Sequence, residues 1–120
     1  MKKILLLGAG MVGRTMAEDL VGQGFAVTVA DILAEALAAI GRDLGVRTLL
    51  ADLSDPGALT AAVAPFDVVV GALSSRLGLQ TLETVIRARK PYCDISFMAE
   101  DAWELSPLAE QLGVCAVVDC

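Results

Sequence analysis

Three glycines near the N-terminus, spaced Gly8-x-Gly10-x-x-Gly13, follow directly on a short apolar run, Ile4-Leu5-Leu6-Leu7. That spacing suits a main-chain cradle for two linked phosphoryl groups. Gly8 lets a buried strand reverse tightly. Gly10, with no Cβ, lets a pyrophosphate approach the backbone, and Gly13 lets the next helix lie close against the strand. The helix begins near Met11, so its free N–H groups and the positive end of its dipole face the phosphates.

Asp31 stands 18 residues beyond Gly13, at the end of a second apolar run, Phe25-Ala26-Val27-Thr28-Val29-Ala30. A carboxylate at that point can accept hydrogen bonds from a ribose 2′-hydroxyl, and it would repel a 2′-phosphate. Neither Arg nor Lys follows in Ile32-Leu33-Ala34 to reverse that repulsion. The pattern therefore favours NAD over NADP. The competing role for Asp31 is capping of the helix that follows it. Asp52, after the run Val46–Leu50, could meet an adenine edge or act as a solvated turn residue. Gly71-Ala72-Leu73 is small and apolar where the middle of a dinucleotide would pass, the competing role being simple packing at a strand end. Asp94 and Ser96 end a later strand, either near where a nicotinamide or substrate would lie or as caps of the helix that follows.

Other chemistries are excluded by what the chain lacks. There is no histidine among its 120 residues, which removes the usual general base and the commonest metal ligand together. Ser74-Ser75 consequently has no partner for Ser-His-Asp hydrolysis. The three cysteines, Cys93, Cys115 and Cys120, form no CxxC pair and read as unpaired thiols of a cytoplasmic protein. Glu100, Asp101 and Glu104 read as a solvated helix face, and Trp103 as a core or domain-contact residue. Net charge is −6 and no run of Lys or Arg occurs, so a nucleic-acid partner is not expected.

These residues need strands and helices to position them, and the hydrophobic pattern supplies both. The chain is 56% hydrophobic, yet its apolar stretches are cut every few residues by Gly, Asp, Arg or Glu. A membrane span would need about 18 consecutive apolar residues; a parallel sheet covered on both faces needs only short unbroken Val/Ile/Leu runs. Ile4–Leu7, Ala26–Ala30, Asp67–Val70 and Val114–Val118 are such runs, with Val46–Leu50 and Pro91–Asp94 completing six strands. Between them, Val12, Met16 and Leu20 recur every four residues as the inner stripe of one helix, with Gly13 and Ala17 on the adjoining face permitting close packing on the sheet. Leu33, Leu37 and Ile40 do the same for a second. Ser54-Asp55-Pro56 starts a third helix, with Asp55 as cap and Pro56 at its first position. Leu79, Leu82 and Ile86 mark a fourth, ending in Arg87, Arg89 and Lys90. Two helical pieces broken by Pro107 precede the last strand. This alternation predicts one α/β domain, a Rossmann-type doubly wound parallel sheet of about six strands in the order 3-2-1-4-5-6.

Lys3–Gly13, Ala51-Asp52-Leu53-Ser54-Asp55, Lys90-Pro91-Tyr92-Cys93-Asp94-Ile95-Ser96 and Ala109–Cys120 together resemble the cofactor domain of the saccharopine dehydrogenase family. The likeness is greatest to its lysine 6-dehydrogenase and saccharopine reductase-like branches. It implies an NAD(P)-binding domain over residues 1–120 of an oxidoreductase acting on an amino acid or its imine conjugate. Carried over by position, it implies that Gly8, Ala9, Gly10, Met11, Val12 and Gly13 hold the pyrophosphate. Asp31 would hold the adenosine ribose, Asp52 and Leu53 the adenine, and Gly71, Ala72 and Leu73 the linker toward nicotinamide. Complete members continue into a C-terminal substrate-binding and dimerising domain, absent here, which would carry the amino-acid substrate and any acid–base residue. The expected partners are a dinucleotide and a second copy in a homo-oligomer, with neither membrane nor nucleic acid. A contrasting expectation is a regulatory nucleotide-sensing module, as attached to potassium transporters, which shares the glycine turn and acidic strand end but catalyses nothing.

Overall fold

The computed structural model describes residues 2–72, 81, 83–94 and 116–118. Six parallel strands lie in the order β3-β2-β1-β4-β5-β6, as the pattern predicts. They are β1 (Lys3–Leu7), β2 (Ala26–Asp31), β3 (Arg47–Leu50), β4 (Val68–Gly71), β5 (Tyr92–Asp94) and β6 (Ala116–Val118). Helices α1 (Met11–Gly22), α2 (Ala34–Leu44) and α3 (Pro56–Val63) alternate with the first four, and residues 83–87 are helical before β5. Leu79, Leu82, the Pro107 segment, Ser74-Ser75, Ser96, Glu100, Asp101, Trp103, Glu104, Cys115 and Cys120 lie outside the described residues.

The alternation of a strand explains why β1 is apolar throughout. Successive side chains point to opposite faces, so Ile4 and Leu6 join one core cluster, with Ala17, Val29, Leu37 and Ile40. Leu5 and Leu7 join the other, with Leu59, Val63, Val85 and Ile86. The first cluster lies under α1 and α2, the second under α3 and the 83–87 helix. A strand buried on both sides has no use for polar residues. β3, at the sheet edge, has three exposed residues of four. No helix among the described residues is long and apolar enough to cross a membrane.

Two helix faces differ from expectation. In α1 the buried residues are Gly13 and Ala17, while Met16 and Leu20 are half-buried and Val12 is 53% exposed. Small residues meet the sheet because α1 lies too close for larger ones, which turns the inner stripe one residue onward. In the second helix Leu33 is the extended N-cap, 62% exposed. It precedes the first helical residue and so takes no part in the helical period. Leu37 and Ile40 are buried as expected. Asp55 caps α3 by accepting the Gly57 N–H at 3.1 Å, with Pro56 directly after it.

Candidate functional site

The sheet ladder runs past the strands and builds the glycine turn. Gly8 N–H donates to the Ala30 carbonyl and Ala72 N–H to the Leu7 carbonyl, each at 2.8 Å. The turn is thereby seated between the ends of β2 and β4, at the carboxyl edge of the sheet where the strand order reverses. Gly8 has φ +109°, a backbone state closed to most L side chains. Across the turn, a Cβ on Gly13 would fall 2.1 Å from the Gly8 carbonyl oxygen and 3.7 Å from Ala72 Cβ. Gly8, Gly13 and Ala72 therefore form one packed junction.

Gly10 behaves differently. A Cβ there would meet no protein atom within 4 Å, so nothing in the packing demands glycine. It is the N-cap of α1, with no side-chain cap and no acidic residue in the first turn. The first bond of the helix runs from Arg14 N–H to the Gly10 carbonyl, leaving the N–H groups of Met11, Val12 and Gly13 without intrahelical acceptors. Bare backbone, orphan donors and the positive helix end coincide, and Met11, 88% exposed, stands beside them. These residues fit a bound diphosphate.

Asp31 sits next to this turn and is tied to it. One carboxylate oxygen accepts the Ala9 N–H at 2.7 Å; the other accepts the Leu33 N–H at 3.0 Å. Its carbonyl accepts the Ala51 N–H at 3.0 Å. The capping role and the position beside the glycine turn thus coexist in one side chain. Ile32, Leu33 and Leu50 surround it, each about three-fifths exposed, and Leu50 is its register partner on β3. These apolar residues were not singled out from the sequence as site residues. For Ile32 and Leu33 the signal available was hydrophobicity directly after a strand-ending aspartate, where turns are usually polar; Leu50, the last residue of β3, carried no such signal.

Asp52 lies beyond the β3 end and accepts the Ser54 N–H at 3.0 Å, along with the Ser54 hydroxyl. Those hydrogen bonds, the hydroxyl's foremost, lower its pKa from the usual carboxylate value. Leu53 is 5% exposed and packs in the core with Leu59 and Val63, so only its main chain is open to a ligand. Gly71 is buried and Ala72 half-buried; Leu73 lies outside the described residues. Asp94 pairs in register with Gly71, which places its backbone at the same sheet edge. An apolar groove lined by Thr28, Leu49, Ala58, Ala62 and Phe66 flanks β3 and α3; it includes no residue of the glycine turn.

Known proteins share this fold. Residues 4–117 match the family described as saccharopine dehydrogenase NADP binding domain. Saccharopine dehydrogenase [NADP(+), L-glutamate-forming] from Pyricularia oryzae is 28% identical over 114 residues, covering 94% of this chain and 25% of that protein. The apo structure of saccharopine dehydrogenase (L-Glu forming) from Saccharomyces cerevisiae superposes with a TM-score of 0.89 at 24% identity, covering 99% of this chain and 27% of that one. An oxidoreductase from Agrobacterium radiobacter, solved with NAD+, L-tartaric acid and magnesium, gives 0.81 at 20% identity, covering 98% and 34%. The chain spans about a quarter of the length of the saccharopine dehydrogenases it matches. It belongs to the saccharopine dehydrogenase family, as that family's dinucleotide-binding domain.

Proposed function

We propose that this domain binds NAD(H) for an oxidoreductase that moves a hydride to or from an amino acid or its imine conjugate. The observation that carries the reading is the junction of glycine turn, uncapped α1 and Asp31. Met11, Val12 and Gly13 N–H groups would hold the pyrophosphate, with Gly10 leaving room for it. Asp31 would take the adenosine ribose, and Ile32 and Leu50 would offer apolar walls to the adenine alongside the Asp52–Leu53 main chain. Gly71, Ala72 and Leu73 would pass the linker toward nicotinamide. A nicotinamide ring supplies the hydride chemistry when bound, and the protein supplies position and surroundings.

The matched family and its Pyricularia member carry NADP in their names. Asp31 supports the other choice for this chain. Its charge stands where a 2′-phosphate would add two more negative charges, and Ile32 and Leu33 offer no cation to offset them. Substrate contacts and any proton-transfer group would come from the part of the parent protein outside this chain, in the cytoplasm and as a homo-oligomer. Titration of the chain with NADH and NADPH, followed by nicotinamide fluorescence, tests the reading. NADH should bind at least about tenfold more tightly. Binding of neither, or amino-acid turnover by this chain alone, would refute it.

A further inference from the structure

Asp31 does more in this structure than face a ribose. Its carboxylate spans two loops, taking the Ala9 N–H of the glycine turn at 2.7 Å and the Leu33 N–H ahead of α2 at 3.0 Å. Its main-chain carbonyl takes the Ala51 N–H beyond β3 at 3.0 Å. The residue before it anchors Gly8 through a 2.8 Å bond. Three loops that meet at this edge of the sheet are therefore fastened to one position on β2. Ala9 is half-buried, and losing its acceptor would leave a partly buried N–H without a partner.

We propose that Asp31 is a positioning residue for the phosphate cradle as well as a contact for ribose. Resting on the functional reading above, this adds that the carboxylate holds Ala9, and so the glycine turn, in shape before any ligand arrives. Two consequences separate it from a purely electrostatic role. A ligand phosphate cannot displace the carboxylate without freeing both loops, so rejection of a 2′-phosphate is steric and structural as well as coulombic. Removing the charge also damages the site for both dinucleotides, because the cradle they share is loosened. A residue that acted only by repulsion would, once removed, improve NADPH binding.

Amide hydrogen exchange without ligand reads the first consequence directly. In Asp31→Ser, the Ala9 amide should exchange at least about tenfold faster than in the native chain, as expected for loss of a hydrogen bond to a charged acceptor, and the Leu33 amide by less, since a serine hydroxyl can still accept from the residue two positions on. The Ala51 amide, bound to a main-chain carbonyl, should change less. Asp31→Asn keeps one carbonyl-type acceptor and should restore protection at one of the two amides. Far-UV circular dichroism and the exchange of β1 amides verify that both variants are folded. Titration then reads the second consequence: NADH and NADPH should both bind about tenfold or more weakly to Asp31→Ser. Unchanged exchange at Ala9, or NADPH binding that tightens in Asp31→Ser, overturns the proposal. If the native chain binds neither dinucleotide, the functional reading falls, while the ligand-free exchange still decides whether Asp31 holds the turn.

Discussion

A Cβ on Gly13 would lie 2.1 Å from the carbonyl oxygen of Gly8, whereas one on Gly10 would touch nothing within 4 Å. Two glycines of one motif thus answer to different demands. Gly13 is required by the protein, because backbone meets backbone and neither side can yield. Gly13→Ala should cost at least about 1–3 kcal/mol through overpacking, measured by urea denaturation. Gly10→Ala should cost less than about 1 kcal/mol, because its backbone, at φ −74° and ψ −170°, is open to alanine. The same substitution should lower NADH affinity by about tenfold or more, since the methyl group would occupy the approach of the pyrophosphate. Equal destabilisation by the two substitutions would refute this division.

Arg14 of α1 donates to Asp43 of α2, with Arg42 Nε 3.5 Å from the other carboxylate oxygen. The Arg14 hydrogen bond is the chief cause holding the Asp43 pKa below its ordinary value, and the same contact raises that of Arg14. A depressed carboxylate pKa contributes stability above its unfolded-state value and loses it as the pH falls through the folded value. The melting temperature of Asp43→Asn should therefore lie slightly below that of the native chain at neutral pH. The two should converge below the ordinary carboxylate range, and the gap should narrow in 1 M salt. The effect is small because both side chains are exposed. A gap that widens on acidification would contradict it.

Arg89 has φ +60° and is the one non-glycine with positive φ among the described residues. It closes the 83–87 helix: Lys90 N–H reaches the Val85 carbonyl and Arg89 N–H that of Ile86, the paired bonds of a left-handed helix cap. Glycine reaches that conformation without the cost of about 1–2 kcal/mol borne by other residues, offset in part by its freer unfolded chain. Arg89→Gly should therefore stabilise by about 0.5 kcal/mol. Arg89→Val should destabilise, since branching at Cβ worsens the strain. Thermal melts of the two variants check both signs.

The strand–helix alternation and the glycine turn were legible in the amino-acid sequence because each has a local cause, and the strand order followed from the connection rules that such alternation obeys. Buried parallel strands leave continuous apolar runs, Asp55-Pro56 marks a helix start, and Gly8, Gly10 and Gly13 stand at fixed spacing within one turn. What only the tertiary structure decided arises between segments distant in the chain. One carboxylate oxygen of Asp31 reaches Ala9 because the β1–β2 register brings the ends of those strands side by side. Leu53, expected beside adenine, turns its side chain into the core because a buried site beneath α3 was there to take it. Val12 and Leu33 look like inner-face residues by spacing, yet both are exposed. Helical periodicity counts residues along one helix, whereas burial depends on how closely that helix approaches the sheet and where its first turn begins.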